Sequence, residues 1–106
     1  MTRSNEPYSE QYRIAAEEWA DLDAAARMLE EGKTTYLAQR IAQHGDMPHN
    51  KAEREVKASS EWADYIKKMV NAKTRANKAR IKLDYLKMRY WEEQGSNATR
   101  RAEMRM

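Results

Sequence analysis

The sequence KKMVNAKTRANKARIKLDYLKMRYW, residues 67–91, carries nine Lys or Arg side chains and a single acid, Asp84. An apolar row runs through this basic stretch at alternating spacings of 4 and 3 residues, which places its members on one face of an α-helix. The row consists of Ala72, Ala76, Ala79, Leu83, Leu86 and Tyr90. The stretch therefore predicts a helix whose apolar face needs a packing partner and whose cationic surface needs acidic or polyanionic partners.

An apolar row near the N-terminus can supply the packing partner. Its members alternate at spacings of 4 and 3 residues over three heptads, the pattern of a coiled coil. They are Tyr8, Tyr12, Ala15, Trp19, Leu22, Ala26 and Leu29. We expect one helix over about residues 7–43, because the single Gly32 inside it costs only about 1 kcal/mol.

The segment His44–Asn50 contains the strongest helix-breaking signal. Gly45 can adopt the left-handed conformation that ends helices, and Pro48 prevents the preceding residues from continuing one. Asn50 has the spacing of a helix N-cap, with Glu53 three residues later. The sequence therefore predicts a turn over residues 44–50 and a new helix from about residue 51.

The second helix is expected over about residues 51–93, with a break near residues 59–60, where either serine could cap a fresh start. Gly95-Ser96-Asn97 predicts its end, followed by a tail, residues 97–106, that forms a short helix capped by Asn97 or stays loose. The expected fold class is therefore all-α. We predict a single helical domain over residues 1–106, built as a long antiparallel hairpin or coiled coil with a short C-terminal helix.

The two halves of the chain carry opposite charges. Residues 1–50 hold five Lys/Arg and nine Asp/Glu, whereas residues 51–106 hold fifteen and eight. If residue i faces roughly residue 94 − i, the acidic residues of the first helix lie beside the basic run. The cations then either neutralise this acidic helix or remain available to bind a polyanion, and the sequence leaves both possibilities open.

Composition bounds the remaining properties. Only 27 of the 106 residues are Val, Ile, Leu, Met, Trp or Tyr, a thin supply for a globular core, so we expect a homo-oligomer that buries more surface. Cysteine is absent, which excludes disulfides and a thiol nucleophile. No secretory or membrane-spanning segment is evident, so we expect a soluble cytoplasmic protein without a membrane partner.

The basic run contains two rows that flank the apolar face. One row follows spacings of 3 and 4 residues and includes an aromatic side chain; it consists of Arg75, Lys78, Lys82, Tyr85 and Arg89. The other consists of Lys73, Arg80 and Lys87, with Trp91 beyond it. Cations along a helix suit phosphate contacts, and an exposed aromatic ring suits stacking on an unpaired base, so these residues are the candidate nucleic-acid site.

Catalytic and metal sites are poorly supported. His44, Asp46 and His49 lie in a Gly/Pro turn, where a pair of imidazoles is weak evidence for a metal. The consecutive pairs Glu17-Glu18 and Glu30-Glu31 diverge by about 100° on a helix and cannot act as a dyad. We therefore expect a non-enzymatic protein with no catalytic residues, no metal and no cofactor.

The order of features is similar to that of small helical accessory proteins of bacteriophages. An Ala/Trp/Tyr-rich helix is followed by a polar turn, then by KAEREVKASSEW, a basic helix and RRAEMR. Over about residues 15–105 this pattern resembles the family of the phage recombination mediator UvsY. The resemblance implies binding of single-stranded DNA by the basic helix, contact with a recombinase or annealing protein, and oligomeric assembly. It transfers no individual functional residue.

The sequence thus leads to a ranked hypothesis. The first choice is a phage accessory protein that binds single-stranded nucleic acid and a recombination or annealing partner in the host cytoplasm. The alternative is an anti-defence inhibitor or adaptor, similar in kind to anti-CRISPR proteins, whose acidic half imitates nucleic acid. A structural coiled-coil assembly protein is the third possibility.

Overall fold

The computed structural model of the chain describes residues 6–104. Helix α1 spans Tyr8–Ala42, α2 spans His49–Lys57 and α3 spans Ser60–Met104. The structure contains no strand within the described range and extends over 84 × 25 × 17 Å. The all-α antiparallel hairpin predicted from the two apolar rows is confirmed, with α1 and α3 as its arms and α2 beside the turn.

Small residues form the seam between the arms. Ala15 and Ala26 of α1 are buried, as are Ala76, Ala79 and Leu83 of α3. These five residues belong to the two rows expected to pack together, and the four alanines let the helix backbones approach closely. A narrow two-helix unit therefore forms without a thick core, as the composition suggests.

The turn between α1 and α2 occupies residues 43–48, close to the predicted 44–50, and α2 is a short separate helix beside it. Gly45 takes the expected left-handed conformation, with φ +64°. Helix α2 then begins at His49, after Pro48 as N-cap, so the expected cap at Asn50 is wrong. Burial of Ala52 and Val56 attaches α2 to the arms.

The break between α2 and α3 falls at Ala58 and Ser59, close to the expected position. Ser59 is the serine that caps α3: the Trp62 backbone N–H donates to its Oγ at 3.2 Å. The same Oγ donates to the Val56 carbonyl at 2.5 Å, which ties the end of α2 to the start of α3.

The inserted helix α2 also shifts the register of the hairpin. Trp19 contacts Arg80, Glu18 contacts Lys82, and Tyr36 stacks near Trp62. Residue i therefore faces roughly residue 99 − i, about five positions away from the predicted register. The reason is that the connection between α1 and α3 occupies residues 43–59 rather than the short turn at 44–50.

The predicted stop at Gly95-Ser96-Asn97 is wrong. Helix α3 continues through these residues to Met104, so there is no separate C-terminal helix and Asn97 is not a cap. Gly95 has no positive φ, and the Thr99 hydroxyl donates to its carbonyl at 3.1 Å. A glycine costs a helix only about 1 kcal/mol and no proline follows here, so the helix persists. The last two residues of the predicted tail, 105 and 106, lie outside the described residues.

An aromatic stack joins the arms near the turn. The Tyr65 ring lies 4.5 Å from the Tyr36 ring and 6.3 Å from the Trp62 ring, centroid to centroid. The Tyr65 hydroxyl donates to the Leu29 carbonyl at 2.7 Å. A Cβ atom at Gly32 would lie only 3.2 Å from this hydroxyl. Gly32 therefore makes room for the Tyr65 hydroxyl inside α1.

Candidate nucleic-acid interface

The nine cations of residues 67–89 lie on a helix whose apolar face is occupied by α1, so each cation flanks the seam or points away from it. The sequence leaves open which flank is engaged by the acidic helix. Both rows have members that contact α1, but they differ in how many cations are engaged. Two of the three cations of one row are held by contacts, whereas the other row includes Arg75 and Lys78, which form no ion pair within the described range.

The row of Lys73, Arg80 and Lys87 is the engaged one. Lys73 Nζ donates to Glu30 Oε1 at 3.2 Å. The Arg80 guanidinium lies 5.0 Å from the centroid of the Trp19 ring, and its Nε is 3.5 Å from Asp84 Oδ1. Cation–π and ion-pair contacts hold these groups against the protein. The structure therefore assigns two of the three cations a role within the hairpin.

Lys87 lies at the open end of the hairpin. It lines a cavity of about 330 Å³ together with aromatic and apolar side chains. The other lining residues are Tyr8, Ser9, Tyr12, Leu86 and Tyr90. Lys87 makes no ion pair with another described residue, so its ammonium group is the one cation of this row without an acidic partner in the described range.

The row of Arg75, Lys78, Lys82, Tyr85 and Arg89 is the freer one. Within residues 6–104, neither Arg75 nor Lys78 forms an ion pair. Lys82 Nζ lies 3.8 Å from Glu18 Oε2, at the limit of an ion pair between two exposed side chains. Such exposed pairs contribute only about 0–1 kcal/mol. All three cations line one open groove with Glu18, Leu22 and Ala79, so they are close enough to act on one ligand.

The far end of this row is tied to α1 by a different contact. Arg89 is hydrogen-bonded to Tyr8, and this bond raises the pKa of the guanidinium above its ordinary value. The charge of Arg89 is unchanged at any physiological pH. Arg89 also borders a polar surface that includes Arg100 and the acids Glu92 and Glu93, which α3 presents because it does not stop at Gly95. Arg100 is thus a cation near the row that was not predicted from the sequence. It lies eleven positions after Arg89, and it would have been predicted had α3 been expected to continue past Gly95.

The two aromatic residues expected to be available for contact are exposed. Tyr85 is 53% exposed and lies within the freer row, and Trp91 is 62% exposed beyond the end of α1. In contrast, Trp19 and Trp62 are half-buried against the opposite arm, as expected for residues of the apolar rows. Tyr85 is therefore the aromatic side chain that combines exposure with neighbouring cations.

The histidines of the turn have acidic neighbours. His44 Nδ1 lies 3.5 Å from Glu55 Oε2, and His49 Nε2 lies 3.8 Å from Glu53 Oε2. The pKa of Glu53 is lowered, first by its hydrogen bond with Lys57. Among residues 6–104, no group of three His, Asp or Glu side chains is arranged to hold a metal ion.

Comparison with known proteins gives no match: no family model, no curated protein and no solved structure resembles this chain significantly. In the part of the chain that the structure describes, no helix is both long and apolar enough to traverse a lipid bilayer.

Proposed function

We propose that this protein is a non-enzymatic phage accessory protein that binds single-stranded nucleic acid along α3 and acts with a recombination or annealing protein. The observation that supports the binding site is the row in which Arg75 and Lys78 lack ion pairs within the described range while Tyr85 is exposed beside them. The resemblance to the UvsY family motivates the choice of a recombinase or annealing protein as partner.

Phosphate neutralisation would provide most of the affinity. From Arg75 to Arg89 the row extends over about 21 Å at 1.5 Å per residue, long enough to follow several phosphates of one strand. A phosphate would readily displace Glu18 from Lys82, because an ion pair at 3.8 Å between exposed groups is weak. Binding should therefore weaken steeply as the salt concentration rises.

Base stacking would provide the preference for a single strand. The Tyr85 ring is exposed on the same side of α3 as Lys78 and Lys82, and stacking is worth about 1–3 kcal/mol per base. A paired base inside a duplex presents no free face to such a ring. Tyr85→Ala should therefore reduce affinity for the single strand much more than affinity for the duplex.

The decisive experiment measures fluorescence anisotropy of a labelled single strand of about 30 nucleotides, and of its duplex, over a range of salt concentrations. Arg75→Ala/Lys78→Ala should weaken binding whatever the base sequence and make the slope of log K against log salt shallower by about 1.4, for two phosphate contacts. The matched control, Lys51→Ala/Arg54→Ala, removes the same charge from α2 and should leave the slope unchanged. Equal slopes for both double variants would remove this row from the site.

The same titration tests the alternative class of function. An anti-defence inhibitor would use the acidic surface of α1, yet Arg13 already bridges Glu10 and Glu17 there. If the protein binds neither strand form even at low salt, the cations act within the protein or toward a protein partner. That result would reject the nucleic-acid proposal and favour a docking protein.

A further inference from the structure

The open end of the hairpin holds a cavity of about 330 Å³. Three tyrosine rings, a leucine, a serine and a lysine line it: Tyr8, Ser9, Tyr12, Leu86, Lys87 and Tyr90. Four of these residues belong to the two apolar rows that pack the arms together. Bulky side chains stand here where buried alanines close the seam further along, so the arms leave a gap between them.

The cavity lies on the flank of the hairpin opposite to the freer cationic row. Lys87 follows Arg80 by seven residues and Tyr12 precedes Trp19 by seven, so each lies on the same face of its helix as that neighbour. Arg80 and Trp19 contact each other on this flank. A strand that follows the freer row therefore does not pass through the cavity.

The polar groups of the cavity are mostly donors without a partner. Within residues 6–104, Lys87 forms no ion pair, and the hydroxyls of Tyr12 and Tyr90 form no hydrogen bond. The Tyr8 hydroxyl is engaged by Arg89. None of the six lining residues is acidic. An ammonium group and two hydroxyls beside an apolar space favour an occupant that joins an anionic acceptor to an apolar group.

The aromatic surface continues beyond the cavity. The Trp91 ring packs edge-on against the Tyr90 ring, with the centroids 5.4 Å apart. Trp91 is 62% exposed, and Tyr12 and Tyr90 are each 40% exposed. Exposed aromatic rings around one pocket are typical of surfaces that bind another protein. A cavity of this volume, near the lower limit of about 300 Å³ for ligand pockets, suits one large side chain of such a protein.

We propose that this cavity binds an acidic peptide segment of another protein by holding one of its aromatic side chains. The ring would enter between Tyr12 and Tyr90, and a neighbouring carboxylate of the segment would pair with Lys87. The first five residues of this chain include a cation, Arg3, and no acid, so they do not supply that carboxylate.

Nucleic acid fits the cavity less well than a peptide does. Lys87 is the single cation among the lining residues, whereas a strand needs several cations to neutralise successive phosphates. The proposal goes beyond nucleic-acid binding, because it assigns a protein ligand to the other flank of the hairpin. Each site can exist without the other, so their tests can fail independently.

The test titrates the full-length, nuclease-treated and isotope-labelled protein with two short peptides and follows its amide signals by NMR. The acidic probe is acetyl-Asp-Trp-Asp-amide; the neutral probe, acetyl-Asn-Trp-Asn-amide, keeps the ring and lacks the carboxylates. The acidic probe should shift the signals of Ser9, Tyr12 and Lys87 with a Kd on the order of 1 mM. The neutral probe should bind at least about threefold more weakly. Equal affinities for both probes, or no shifts with the acidic probe at about 10 mM, would overturn the proposal.

A lysine variant separates the cavity from a general attraction to the basic helix. Lys87→Gln should weaken binding of the acidic probe about three- to fivefold and leave the neutral probe unchanged. Lys68→Gln is the matched control, because it removes an exposed lysine of the same helix that also lacks an ion pair within the described residues. Equal losses for the two variants would assign the binding to the overall charge of α3 and would overturn the proposal.

A competition experiment separates the peptide site from the nucleic-acid site. Lys78→Gln should weaken binding of the single strand and leave the acidic probe unchanged, whereas Lys87→Gln should do the reverse. Displacement of the acidic probe by the single strand would assign the cavity to nucleic acid and overturn the peptide proposal. Binding of the acidic probe by a protein that binds no strand would support the peptide site and reject only the proposed nucleic-acid function.

Discussion

Residues 60–90 and residues 91–104 belong to the same helix, yet they are stabilised in different ways. The first part, the paired segment, contains the three buried residues of α3: Ala76, Ala79 and Leu83. The second part, the overhang, extends past Tyr8, where α1 begins. Among residues 91–104 only Asn97 is even partly shielded.

This difference shows how much tertiary packing contributes to α3. The overhang contains Gly95, Ser96, Asn97 and Thr99, all poorer helix formers than alanine. A helix of this length is marginal in water even with a favourable composition. The overhang is therefore helical because it propagates from a helix already nucleated by the paired segment. Matched substitutions in the two parts should therefore change the free energy of unfolding by unequal amounts.

The largest difference in lost stability is expected between alanine substitutions at Tyr65 and at Trp91. Tyr65→Ala removes a ring stacked on Tyr36 and the hydrogen bond to the Leu29 carbonyl, so it should reduce the free energy of unfolding by about 2–3 kcal/mol. Trp91→Ala removes a larger side chain but should cost less than about 0.5 kcal/mol, since that side chain is exposed. Urea unfolding followed by circular dichroism measures both. Tyr65→Phe, which keeps the ring, should lose only about 1 kcal/mol, and equal losses for Tyr65→Ala and Trp91→Ala would contradict the comparison.

The next largest difference in stability is expected when leucine replaces a buried and an exposed alanine of α3. Ala76 is buried in the seam, and Ala76→Leu forces extra volume between two closely packed backbones, at a cost of about 1–3 kcal/mol. Ala98→Leu makes the same change on the exposed overhang and should alter the free energy of unfolding by less than about 0.5 kcal/mol. The same urea titrations report both variants. A stable Ala76→Leu protein would mean that the arms separate easily and that the seam is not close-packed.

The contrast between Gly45 and Gly95 explains which helix ends could be predicted from sequence. Both glycines are followed by polar residues, but only Gly45 is followed by a proline, Pro48, which cannot continue a helix. Gly45 accordingly takes a positive φ in the turn that follows α1, whereas Gly95 stays helical. A glycine without a proline is a small local cost that a nucleated helix absorbs. Local pattern therefore predicted the arms and the turn, but it placed the end of α3 incorrectly.

The candidate site was predictable only in part, for a different physical reason. Helical spacing assigned Arg75 and Lys78 to one row and Lys73 and Arg80 to the other, without help from the structure. Which row meets α1 depends on the register and rotation of the arms. These are set by long-range contacts such as that of Tyr65 with Leu29, and by the length of the α2 insertion. No local pattern in residues 67–91 contains that information.

A smaller difference in stability is expected when alanine replaces Ser59 and Ser96. Ser59→Ala removes the N-cap of α3, to which Trp62 N–H donates, and the bond to the Val56 carbonyl, so it should cost about 1 kcal/mol. Ser96→Ala lies in the exposed overhang and should be neutral or slightly stabilising, because alanine is the better helix former. Thermal unfolding midpoints of the two variants give the comparison. Ser59→Asp, which retains a capping oxygen, should recover most of the loss; failure to do so would assign the effect to the Val56 bond instead.

The smallest and most local effect is expected from Gly95→Ala. A Cβ atom at this position meets no other atom within 4 Å, so alanine adds helix propensity of up to about 1 kcal/mol without strain. We expect the exposed overhang to open without unfolding the hairpin, so this gain should slow amide hydrogen exchange in residues 95–104 and leave the global unfolding midpoint nearly unchanged. Amides near Ala76 and Ala79 act as an internal control, because they exchange only when the arms separate. A rise of the global midpoint together with the local protection would show that the overhang unfolds cooperatively with the paired segment, and the division of α3 into two differently stabilised parts would then be wrong.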